Sequence, residues 1–132
     1  MGQTDLGSYK SIYLQTAKEY VDSLLVGCDK LVSDSQDKDA INQIHISSHS
    51  LKSQSQVMGF VNVANLSAII EKISNAILEG ENQINSDLIS VFKEAVDALN
   101  LSLSQIEKEN TEKDLSAIVK KLEDAGQASM TF

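Results

Sequence analysis

The chain has 132 residues, no proline and a net charge of −8. One domain is expected at that length, with a core large enough to need neither disulfides nor metal. The acidic balance argues against nucleic acid and against anionic membrane surfaces, because both are bound by basic faces.

Taken in order, residues 1–7 are polar and hold two glycines, which predicts a short mobile leader before a helix capped by Ser8. Tyr13, Ala17, Tyr20, Leu24, Cys28 and Leu31 recur at helical spacing to about Val32, with Tyr9 and Val21 at the flanks. Cys28 is the only cysteine, so it reads as a small core residue in a reducing compartment. A polar connector over 33–39 follows, where Asp37 or Asp39 is placed to cap a second helix over about 38–58. Gly59 ends that helix and Phe60 is expected to plug the turn into the core. Asn62 is the predicted N-cap of a third helix with the stripe Leu66, Ile69, Ile70, Ile73 and Ile77, closed by Gly80. After a short loop, Asn85 or Ser86 caps a fourth helix, striped by Leu88, Val91, Phe92, Ala95, Leu99, Ser102, Leu103 and Ile106. Thr111-Glu-Lys-Asp114 has the form of a capping box before a fifth, shorter helix carrying Leu115, Ile118, Val119 and Leu122. Residues 126–132 read as a frayed tail. The fold class is therefore all-α: an antiparallel up-down four-helix bundle, core about 8–108, with a shorter C-terminal helix over about 111–124, all in one domain over 1–132.

The second helix holds both histidines. At 3.6 residues per turn, His45, His49, Lys52, Ser53 and Gln56 share a polar face, while Ala40, Ile44, Leu51 and Met58 share an apolar one. No carboxylate lies on the His49 turn, so a partner for His49 must come from elsewhere in the fold. Imidazole is a usable nucleophile near neutral pH when one ring nitrogen is free and an acceptor holds the other.

His49-Ser-Leu-Lys52 followed by Gly59-Phe60 resembles the phosphoacceptor segment of histidine-containing phosphotransfer (HPt) domains, above all the N-terminal phosphotransfer domain of CheA-type chemotaxis kinases. The signature of those domains is His-x-Leu/Ile-Lys-Gly with a second Gly ten residues after the His, and the resemblance extends over about residues 5–108. It implies that His49 is the phosphoacceptor and that Glu71, on the next helix, is the acceptor for its ring. It also implies that Lys52 lies near the phosphate and that Ser53 and Gln56 help dock a partner. Two positions depart from the pattern. Ser53 stands where the family usually has Gly, and Ala68 stands where the CheA-like group often has a second histidine.

On this reading the chain is a phosphotransfer intermediate rather than an enzyme, either free-standing or part of a larger histidine kinase. The expected partners are a response-regulator receiver domain and a kinase ATP-binding domain, in cis or in trans. No cofactor is expected on the chain itself, and Mg²⁺ belongs to the partner. No glycine-rich phosphate loop, nucleophile elbow or Cys-His pairing is present. His45 and His49 lack the third and fourth ligands of a zinc site, so no metal is expected and His45 is read as packing partly against the bundle. There is no apolar run of membrane-span length and no basic region followed by an apolar one at the N-terminus. Leu6 also stands where a myristoylation signal needs Ser or Thr, so the expected location is the cytoplasm. The alternative is a helical adaptor that binds receiver or kinase domains without being phosphorylated.

Overall fold

The computed structural model describes residues 2–130, with side chains from Ser8 onward. Five helices follow one another: α1 (Gly2–Ser33), α2 (Lys38–Met58), α3 (Val61–Leu78), α4 (Ser86–Glu109) and α5 (Ser116–Ala128). Among the described residues there is no strand, only an isolated bridge between Asn82 and Met130.

The alternating directions can be read from the side chains that meet. Between α1 and α2, Tyr13 pairs with Ser55, Thr16 with Gln54, Ser23 with Ser47 and Lys30 with Gln43. Numbers rise on one helix as they fall on the other, so the pair is antiparallel. The same holds for α1 and α4, through Lys18–Glu107 and Asp29–Lys93. Leu24, Leu31, Leu51, Leu66, Phe92 and Leu99 fill the centre and are closed to solvent. Burying each such side chain contributes roughly 1.5–3 kcal/mol, which far outweighs the differences in helix propensity along the chain.

Local signals place most of the helix ends. Asp37 Oδ1 accepts the Ala40 N–H at 3.0 Å and Asn85 Oδ1 accepts the Leu88 N–H at 2.8 Å, so Asp37 and Asn85 are the caps of α2 and α4. Gly59 ends α2 at φ +80°, where its N–H reaches Gln56 O and the Phe60 N–H reaches Ser55 O. A side chain would be strained at that φ. Phe60 then turns inward and packs on Tyr13, with ring centroids 5.1 Å apart.

Five expectations need correction. Helix α1 starts at Gly2, so Ser8 lies inside it; without proline, one internal Gly7 costs only about 1 kcal/mol, too little to stop a helix. Met1 lies outside the described residues. Asn62 does not cap α3. Its side chain donates to Lys113 O at 2.9 Å, and the open Val63 N–H is taken by Glu112 Oε2 at 2.8 Å, so the α4–α5 connector caps α3 from outside. The capping box therefore does not form, and α5 begins later, at Ser116, whose N–H meets Asp114 Oδ1. The tail is not frayed as far as Met130. Ser129 Oγ donates to Asn82 Oδ1 at 2.7 Å and the Gln83 N–H donates to Ser129 O at 3.0 Å, while Thr131 and Phe132 lie outside the described residues. Met58, placed on the apolar face, is only half-buried because it borders an open groove.

Helix α5 packs on both α3 and α4 and fills the gap between them. Leu122 is fully buried, and Gly126 approaches α3 so closely that a Cβ there would lie 2.7 Å from Ile73 Cδ1. The fifth helix thus completes the wall behind α3, which carries one half of the site.

Candidate phosphoacceptor site

Because α2 and α3 run antiparallel after a two-residue turn, the middle of one faces the middle of the other. His49 is eleven residues into α2 and Glu71 ten residues into α3. Leu51 on one side and Ile70 on the other, both buried, lock the rotation of the two helices. That rotation leaves the His49 ring 58% exposed, with its Nδ1 2.6 Å from Glu71 Oε2. The second carboxylate oxygen, Oε1, meets Lys52 Nζ at 2.6 Å. Glu71 and Lys52 are much less open, at 18% and 24%. One carboxylate therefore bridges the imidazole and the ammonium through separate oxygens.

Partial burial pulls the Glu71 carboxyl upward, but the hydrogen bonds and charge of Lys52 and His49 outweigh it and hold the group below its usual range. Glu71 is thus an anion at neutral pH and an acceptor only. The ring nitrogen that faces it must carry the hydrogen, so Nδ1–H donates and the lone pair sits on Nε2. Among the described residues no group bonds Nε2, and the side chain as a whole is 58% exposed. The arrangement is a fixed tautomer with its nucleophilic nitrogen unengaged.

The sequence-derived residues fall as follows. His49, Glu71 and Lys52 come together. Lys52 engages Glu71 directly, through Oε1. Ser53 is half-buried one turn beyond, and its hydroxyl donates to His49 O at 3.1 Å. Gln56 is exposed on the same face. His45 is half-buried against α3, with Nδ1 3.5 Å from Ser74 Oγ. Among the described residues no three His, Cys, Asp or Glu side chains are grouped to hold a metal ion.

The sequence reading missed an apolar groove beside the site. Tyr9, Ile12 and Tyr13 of α1 and Ser53, Gln54, Val57 and Met58 of α2 enclose about 590 Å³ of open space. Val57 is 86% exposed and Ile12 59%. The available signal was that Ile12 and Val57 stand off their helices' buried stripes, so the fold has no core position for them. The groove begins at Ser53 and runs away from His49 toward the C-terminal end of α2.

Residues 8–102 match the family described as Hpt domain. Over 120 residues, 90% of the chain, the sequence is 27% identical to the chemotaxis protein CheA of Bacillus subtilis. Over 97 residues, 70% of the chain, it is 29% identical to CheA of Salmonella typhimurium. The chain spans 18% and 14% of the length of those relatives. Among solved structures, it superposes on the phosphorylated P1 domain of CheA3 in complex with CheY6 from R. sphaeroides. The TM-score is 0.84 at 13% identity, covering 92% of this chain and 98% of that one. The solution structure of the histidine phosphotransfer domain of CheA gives a TM-score of 0.81 at 23% identity, covering 89% and 91%. At those identities the two structures speak for the fold. The family match takes in α2 and α3 entire, and with them the paired histidine and glutamate: the chain belongs to the Hpt domain family.

Proposed function

We propose that the chain is a phosphorelay intermediate of a CheA-like signalling system, with His49 as the residue that carries the phosphoryl group. The observation that carries this reading is the bridge from His49 Nδ1 through Glu71 to Lys52, which puts the hydrogen on Nδ1 and leaves Nε2 with a free lone pair. In the forward step Nε2 attacks phosphorus, the N–P bond forms, and the P–O bond to the donor's leaving group breaks. The Nδ1 proton stays on the ring and its bond to the Glu71 carboxylate strengthens as positive charge develops on the imidazole. In the return step a receiver aspartate takes the phosphoryl group from Nε2, and the ring regains its lone pair.

The chain supplies neither nucleotide site nor metal; the donor is a kinase ATP-binding domain, in cis or in trans, or a phosphorylated receiver, and Mg²⁺ sits with the partner. Ser53, Gln56 and the apolar groove beyond them are the docking face for the receiver. Their position within two to three turns of His49 sets a partner's catalytic centre over Nε2. We place the activity in the cytoplasm, where ATP and receivers meet. In support, no helix among the described residues is long and apolar enough to cross a membrane.

The test is acid-labile phosphate uptake from a cognate kinase domain, alongside a melting curve, for the wild type and His49→Gln. His49→Gln should take up none and melt within a few degrees of the wild type, because exposed substitutions change stability by only about 0.5 kcal/mol. Undiminished uptake by His49→Gln would remove the relay assignment. A wild type that binds receivers but takes up no phosphate from any donor would favour the adaptor instead.

A further inference from the structure

His45 lies one turn before His49 on the same face of α2. Helical side chains lean toward the N-terminus of their helix, so the His49 ring covers the turn that carries His45. Both imidazoles turn Nδ1 toward α3. That of His49 meets Glu71, and that of His45 lies 3.5 Å from Ser74 Oγ. The Ser74 hydroxyl donates to Glu71 O at 3.0 Å, so toward His45 it acts as acceptor and Nδ1 of His45 carries the hydrogen. Among the described residues His45 Nε2 has no hydrogen-bond partner. It is not sealed either, since Ser102 Oγ is the only side-chain polar atom among the described residues that is both buried and unpartnered. His45 Nε2 thus keeps access to water, one turn from the residue proposed to carry phosphate.

A phosphoryl group on His49 brings a charge of about −1.5 to −2 and three acceptor oxygens to that spot. The nearest ammonium, on Lys52, is already engaged by Glu71 Oε1 at 2.6 Å. From α3, Glu71 and Ser74 face His45. On α2 itself the charged or titratable groups on the same face are His49, one turn on, and Lys38 and the engaged Lys52, each seven residues away. Helix α1 meets α2 on the far side, through Ser23 to Gln43 and Ser47. An imidazolium needs two acceptors, and here one is Ser74 Oγ and the other is solvent, which a phosphoryl oxygen on His49 would replace.

We infer that His45 is a second phosphoryl-binding residue: it takes a proton from solvent when His49 is phosphorylated and donates its Nε2–H to a phosphoryl oxygen. This rests on His49 being the phosphoacceptor. It makes the phosphorylated state proton-linked, so that lower pH within the physiological range favours phosphate on His49 over phosphate on a receiver.

The test uses the chain labelled with ¹⁵N in its imidazoles and phosphorylated with phosphoramidate, with the phosphate mapped to its residue by mass spectrometry. The His45 ring signals are titrated from pH 6 to 9 with and without phosphate. The midpoint should move to higher pH on phosphorylation, because a nearby dianion favours the charged imidazolium. In parallel, the transfer equilibrium with a receiver is measured for the wild type and His45→Gln. The wild-type to variant ratio of equilibrium constants should change about three- to tenfold between pH 6 and pH 8. An unmoved or lowered midpoint on phosphorylated protein overturns the inference, whether or not the variant folds, and so does a ratio independent of pH. Absence of phosphate on His49 overturns the phosphoacceptor assignment itself, and this inference with it.

Discussion

Replacing Glu71 with Ala isolates what the carboxylate contributes to His49. The nucleophile stays, but its Nδ1–H loses an acceptor 2.6 Å away and Lys52 loses its partner at the same distance. A hydrogen bond to a charged group is worth about 1.5–3 kcal/mol when sheltered. His49 is 58% exposed, so water replaces part of it, and about 1–2 kcal/mol is the appropriate figure. If that stabilisation is expressed in the transition state, where the ring gains positive charge, phosphorylation slows by about 5- to 30-fold. Stability should change little, by about 0–1 kcal/mol, because the Lys52–Glu71 pair lies near the surface and the carboxylate's desolvation cost disappears with it. The assay is the single-turnover rate of phosphate incorporation from a kinase domain, with receiver binding measured in parallel and expected to stay within about twofold. A rate within twofold of the wild type would refute the role given to Glu71. Complete loss with an intact fold would also refute the reasoning, since it would mean that Glu71 takes part in the chemistry and does not merely orient the ring.

Glu112→Ala should destabilise the protein by about 1 kcal/mol, a typical value for a lost helix cap, and lower the melting temperature by roughly 3–6 °C. It should do so although Glu112 lies outside α3, and an unchanged melting curve would show that water caps Val63 equally well. Alkaline pH should unfold the protein early. Burial pushes Tyr13 up to about 12, against a weaker opposing hydrogen bond from Ser55, and burial likewise pushes the Cys28 thiol up to about 12. Both groups ionise first in the unfolded chain, so stability is intact below about pH 9 and falls as pH rises toward 12. Tyr13 alone accounts for about 2–3 kcal/mol of that fall. Denaturant midpoints measured at pH 8 and at pH 11 should therefore differ clearly in the wild type and less in Tyr13→Phe.

How the sequence divides from the fold is clearest at particular residues. The stripes Leu24–Leu31, Ile70–Ile73 and Leu99–Ile106 were legible because helix formation and burial depend on spacing that is local in the chain. So were the stop at Gly59 and the start at Asn85, where a positive φ or an Asn side chain acts within three residues. His49 was legible through its motif with Lys52, and Glu71 through its fixed distance from His49 along a helix, a turn and a helix. What lay beyond reach were the contacts between segments distant in sequence. Nothing near Val63 announces that its N–H will be capped by Glu112, because the cap depends on where the α4–α5 connector passes α3. The seat of α5 between α3 and α4 depends on the match of Gly126 to Ile73, and the anchoring of Ser129 depends on Asn82. The groove at Ile12 and Val57 lies along the outer side of the packed α1–α2 pair, where no further helix among the described residues covers the two apolar side chains. The sequence by itself determined which residues are helical, which faces are apolar and which histidine is paired with a glutamate, since each of these follows from periodicity or motif spacing. Only the tertiary structure decided which polar groups cap one another, where apolar surface stays open and that His45 turns its Nδ1 toward Ser74, since each of these requires two helices to be positioned against one another.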